Sequence, residues 1–143
     1  MWREREERME ITIIEPREID RIVASFEVFD VPQDIQELII EACNALNDGE
    51  FSFDGTTGDV ELWVTVYEPA SLVHDYLWAT GRGGLIADRI FRRIMKVYAV
   101  HPVIYTARYL AVRSAWNCYY YWKHTYNRNL KPLTKKMVSL SLN

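Results

Sequence analysis

Apolar and polar positions change their period several times along the chain, and each change predicts an element. Ile11-Thr12-Ile13-Ile14, a short β-branched run closed by Glu15 and Pro16, predicts a strand. From Arg17 to Phe29 the spacing Ile19, Ile22/Val23, Phe26 predicts a short helix. Asp30-Val31-Pro32 is a fresh helix start, with Asp34 and Glu37 in the early turns. Ile35, Leu38/Ile39, Ala42 and Leu46 then give an apolar face as far as Asn47, where Asp48-Gly49 ends it. Phe51-Ser52-Phe53, the turn Asp54–Gly58 and the alternating run Val60–Tyr67 together predict a β-hairpin.

Past Pro69 the pattern becomes helical. Pro69–Ala79 predicts one helix, and Thr80-Gly81-Arg82-Gly83-Gly84 breaks it. Leu85–Tyr98 predicts a second, apolar at Ile86, Ile90, Ile94 and Phe91, Met95, Tyr98. His101-Pro102 separates it from a third helix over about Val103–Tyr126, followed by a basic tail interrupted by Pro132. The fold class expected is therefore α+β, mainly α. Residues 1–68 form an acidic portion with a helix and a β-hairpin, and residues 69–143 a basic three-helix portion. Both belong to one domain, because 143 residues are one domain's worth.

Charge sharpens that division. Residues 1–68 carry eighteen Asp and Glu against five Arg, a net of −13; residues 69–143 carry two Asp against twelve Lys and Arg, a net of +10. Either the halves dock, within one chain or between copies, or the basic half faces an external anion. Complementarity is the preferred reading, since an acidic partner surface exists in the same chain. The anion alternative puts Arg89, Arg92, Arg93 and Lys96 in an anion-binding role. With 49% apolar and 26% charged residues, disorder and low complexity are excluded. No apolar run reaches the ~20 residues of a membrane span, and the charged N-terminus is not a signal peptide. Cys43 and Cys118 make neither a disulfide framework nor a zinc site. The stretch Asp48–Asp59 lacks the register and closing Glu of a calcium loop. No metal or cofactor is expected.

Two stripes mark the third helix. Ala107, Ala111, Ala115 and Cys118 form a small-residue ridge suited to close packing. On another face Tyr105, Tyr109, Val112, Trp116 and Tyr120 form an aromatic stripe suited to core packing, but Tyr119-Tyr120-Tyr121-Trp122 wraps more than half the helix, too far for every ring to be internal, and is expected to form a protein interface. Nucleic acid is the less favoured partner, because no recognised nucleic-acid module is present.

One constellation carries candidate chemistry. Asp75 and Asp88 are the only acids after Glu68, and His74 adjoins the first of them. Folding the chain back around Arg82 brings His74, Asp75 and Asp88 together between two antiparallel helices. Such a trio can act as a general base oriented by a carboxylate. It can also hold a divalent metal, or clamp the hairpin as a buried hydrogen-bonded network with Arg neutralising the acids. The clamp is the preferred reading.

His74-Asp75-Tyr76-Leu77-Trp78, Ala87-Asp88-Arg89-Ile90-Phe91 and then Tyr109-Leu110-Ala111-Val112-Arg113 resemble an uncharacterised family of small bacteriophage and prophage proteins. That family carries a His-Asp-x-Leu-aromatic helix followed by an Ala-Asp-x-x-Phe helix, and the resemblance covers about residues 66–116. Its upstream Gly-Phe-x-Thr-Asp-x-x-Ser-x-Pro segment has no counterpart here. The first helix is also similar to that of secreted phospholipases A2, whose cysteines and calcium loop are absent. The resemblance implies a phage protein in the virion or the host cytoplasm, without an established reaction. The function expected is a small virion- or tail-associated assembly component that contacts other phage structural proteins or copies of itself. A small hydrolase using His74, Asp75 and Asp88 is the alternative. A binder of an anionic nucleotide, or an inhibitor of host defence, comes third.

Overall fold

Six helices supply the regular structure among the described residues, which are 13–53, 68–114 and 130–142 of a computed structural model. They are α1 (Pro16–Val28), α2 (Gln33–Asn47), α3 (Pro69–Ala79), α4 (Leu85–Val97), α5 (Pro102–Arg113) and α6 (Lys135–Leu142). α3 packs on α2 and α4, and α4 also packs on α5 and α6. Pro near the first turn of α1, α3 and α5 sets φ where no intrahelical N–H bond is lost.

The helix ends share a chemistry. Behind α1, α2, α3 and α4 the chain takes a left-handed residue, namely Asp30, Gly49, Gly81 and Ala99. Each time the next N–H returns to a carbonyl in the last turn: Val31 to Phe26, Glu50 to Ala45, Arg82 to Leu77 and Val100 to Met95, at 2.8–3.0 Å. This is the Schellman arrangement, which satisfies carbonyls that the helix leaves open.

The α+β expectation is corrected here to an all-helical arrangement. Among the described residues there is no strand, and an isolated bridge at Phe53 is the only β pairing. Of the expected Ile11–Ile14 strand, Ile11 and Thr12 lie outside the described residues, and Ile13 and Ile14 are not in a strand, because Ile14 has a side chain as its partner. The N–H of Ile14 donates to Asn47 Oδ1 at 2.6 Å, and Asn47 Nδ2 donates back to the Ile14 carbonyl at 3.2 Å. One carboxamide from the end of α2 thus takes the place of a neighbouring strand. In the expected hairpin, Phe51 and Phe53 are buried as core side chains, Phe51 with its ring 5.5 Å from that of Tyr76. Its remaining part lies outside the described residues, as do the end of the third helix beyond Ser114 and the aromatic run Tyr119–Trp122. The basic half is also more than three helices, because α6 follows Pro132 and buries Met137 and Leu140.

α3 is the central element. Every residue from Leu72 to Ala79 is buried, as expected of a helix covered on all sides. The opposed charges meet within the chain. Arg82–Glu41 (3.9 Å), Arg108–Glu68 (2.9 Å), Lys131–Glu50 (2.8 Å) and Lys136–Glu37 each join a cation of the basic half to an acid of the acidic half. Among the described residues no helix is long and apolar enough to cross a membrane.

Candidate functional site

His74 lies mid-way along α3 and Asp88 in the first turn of α4, on the facing sides of the helical hairpin. The residues between them make a tight reversal. Gly81 takes φ +81°, and Gly83 lies so close under Trp78 that an added Cβ would fall 2.2 Å from the indole ring. Gly84, at φ +100°, opens α4. The short link sets the register, and the register brings the imidazole to the carboxylate.

The contact is tight and dry. His74 Nε2 is 2.7 Å from Asp88 Oδ1, with His74 1% and Asp88 0% exposed. At that distance a proton must lie between nitrogen and oxygen, so Nε2–H donates to Asp88. The Trp78 indole N–H is 3.2 Å from Nε2 and 3.5 Å from Asp88 Oδ1. With Nε2 already protonated, it is directed to the carboxylate oxygen. Asp88 Oδ2 accepts from Arg113 at 2.9 Å, and that guanidinium is about one-third exposed. On the other side of the ring, Nδ1 is 3.9 Å from Asp75 Oδ1, a charge contact longer than a hydrogen bond. The Phe91 ring packs against the imidazole with centroids 4.8 Å apart. Burial by itself lowers the His74 pKa, but the carboxylates of Asp75 and Asp88 outweigh it, and the net shift is upward. The ring is therefore held toward its charged form, and Asp88 lies between the imidazole and the Arg113 guanidinium.

The sequence-predicted trio is thus brought together, as a continuous unit across α3, α4 and α5. Arg113 is the member that sequence reasoning left without a role. The signal for it was available. Asp88–Arg113, Arg92–Tyr109 and Lys96–Tyr105 step by four along α4 and by four back along α5, as an antiparallel hairpin about His101-Pro102 requires.

Of the four cations assigned to anion binding, three contact groups of the same chain. The Arg92 guanidinium lies over the Tyr109 ring at 4.2 Å and the Lys96 ammonium over Tyr105 at 5.5 Å. Arg93 donates to the Leu140 carbonyl at 3.2 Å, and Arg89 is half-buried. Three of them join helices, α4 to α5 or α4 to α6. Among the described residues no group of three or more His, Cys, Asp or Glu is arranged to hold a metal ion. Cys43 is buried, and burial pushes its thiol up to about 11, so it is unreactive near neutrality.

A family described as Protein of unknown function (DUF1353) matches residues 61–112. That span takes in α3 and α4 with His74, Asp75, Trp78 and Asp88, and ends one residue before Arg113. Comparison with curated proteins gives no match, and comparison with solved structures gives none either.

Proposed function

We propose that this protein acts without catalysis, as a small assembly component of a phage virion or tail, and that His74, Asp75 and Asp88 serve as its internal clamp. The observation behind this reading is the enclosure of His74. A general base needs a ring nitrogen within reach of a proton on substrate or water. Here Nε2 is committed to Asp88, Nδ1 faces Asp75, and the ring is 1% exposed. An imidazole enclosed between two carboxylates, and held toward its charged form by them, ties α3 to α4, with Arg113 extending the tie to α5. The phage setting rests on the sequence resemblance, and the contact surface expected is Tyr119-Tyr120-Tyr121-Trp122. Quantitative mass spectrometry of purified particles from a phage that encodes this chain tests it. Presence at a fixed copy number is expected. Absence from particles, together with full expression during infection, overturns the assembly reading.

A further inference from the structure

A second polar cluster lies away from the His–Asp clamp, in a cleft of about 290 Å³ between α2, α6 and the segment before α6. Its floor is apolar, formed by Leu38, Met137 and Leu140. Its charges fall into two kinds of pair. Lys136–Glu37 and Lys131–Glu50 are closed ion pairs. Arg82–Glu41 is open, with guanidinium and carboxylate 3.9 Å apart, beyond hydrogen-bond range.

Arg82 is unusual for a buried cation. Its side chain is 3% exposed. Nε and one terminal nitrogen share a single acceptor, Thr80 Oγ1, at 3.1 and 3.0 Å. The other terminal nitrogen donates only to the Met137 thioether at 3.4 Å, a weak acceptor. The Tyr76 ring lies under the guanidinium at 4.9 Å. A buried guanidinium offers five donors in a fork suited to a carboxylate, and no carboxylate of the described residues fills the fork. Glu41 shows the complementary state. Oε2 accepts from the Tyr76 hydroxyl at 2.5 Å, while its side chain stays about half exposed to the cleft.

We propose that this cleft binds a free α-amino acid with an apolar side chain. Arg82 is reached by moving the Met137 thioether that covers it: the ligand carboxylate then takes the Arg82 fork, the ammonium pairs with Glu41, and the side chain lies on Leu38 and Leu140. Charge selects this class. The open pair offers one cation and one anion side by side, which complements a zwitterion, whereas a simple anion would meet Glu41 and a simple amine would meet Arg82. The site is independent of the clamp, so either assignment stands if the other fails.

The test is an NMR titration of the full chain with L-leucine, L-leucinamide, which lacks the carboxylate, and N-acetyl-L-leucine, which lacks the ammonium. Leucine should saturate shifts at the Arg82 Nε–H and the Met137 methyl. Each analogue should bind at least ~10-fold more weakly, since a charge-assisted contact is lost. Glu41→Gln, which keeps an acceptor for Tyr76, should weaken leucine by a similar factor. The proposal is overturned if leucine gives no shift at ~10 mM, well above a millimolar Kd. It is equally overturned if an analogue binds as well as leucine, or if a folded Glu41→Gln protein keeps full affinity.

Discussion

Through its two carboxylate oxygens Asp88 joins α4 to α3 and α5. It is fully buried, accepts from His74 and Arg113, and has the Trp78 N–H beside it. Asp88→Asn leaves the imidazole and the Arg113 guanidinium facing a neutral amide. Breaking a buried ion pair in this way costs about 3–5 kcal/mol, a large share of the ~5–15 kcal/mol that holds a domain. Urea unfolding followed by circular dichroism measures the loss. Arg113→Ala should cost less, about 1–2 kcal/mol, because water already reaches that guanidinium. The His74 shift gives a pH dependence of definite sign. A His whose pKa is raised on folding contributes stability that is complete below the unfolded value near ~6.5 and is lost as pH rises through the folded value. The urea midpoint should therefore fall as pH rises above ~6.5. His74→Gln should be less stable at low pH and lack that slope. A midpoint rising through this window in the unsubstituted protein would mean that His74 is held neutral.

Among the helices, the left-handed caps set up a matched pair of tests. Gly81 and Ala99 occupy the same position behind α3 and α4, at φ +81° and +58°. A Cβ there costs roughly 1 kcal/mol, which Gly81 avoids and Ala99 bears. Ala99→Gly should raise stability by about 0.5–1 kcal/mol, and Gly81→Ala should lower it by about 1 kcal/mol. Thermal melts of the two variants read opposite signs if the caps control these ends. Gly83 is constrained in a different way, by space. Gly83→Ala puts a methyl into the Trp78 ring, so the indole must move away from Asp88 or the hairpin must open. Overpacking of this kind costs about 1–3 kcal/mol, and the NMR resonance of the Trp78 indole N–H should shift with it.

Across the whole molecule, the opposed charges of the two halves are spent at least partly inside the chain. Among the described residues four ion pairs span the halves, from the well-shielded Arg108–Glu68 to the half-exposed Lys136–Glu37. Exposed pairs contribute less than ~1 kcal/mol each, but all four act in the same direction and screen with salt. Raising ionic strength from ~0.01 to ~0.15 M shortens the Debye length from ~30 to ~8 Å. The unfolding midpoint should fall over that range while the mass by light scattering stays constant. A mass that drops with salt would instead assign the complementarity to contacts between copies.

Local signals fixed most helix positions. Proline starts, glycine stops and 3.6-residue spacing placed α3 at its observed ends, and α1, α2 and α4 to within a residue or two. The same reasoning brought His74 to Asp88, because a short link between antiparallel helices leaves little freedom of register. It misjudged the β content, since a β-branched run promises a strand only if another strand pairs with it. At Ile14 the partner is a side chain, Asn47, thirty-three residues away. It also left Arg113 without a role and Arg82 as part of a loop. Both acquire their chemistry from what lies across from them: Asp88 on α4 for one, and Thr80, Met137 and Glu41 for the other. Periodicity and capping act between neighbours in the chain, so the sequence determined the helices and the hairpin that joins His74 to Asp88. Burial and pairing of charge act between residues far apart in the chain. Only the tertiary structure decided that the histidine is enclosed and that a buried arginine borders a cleft.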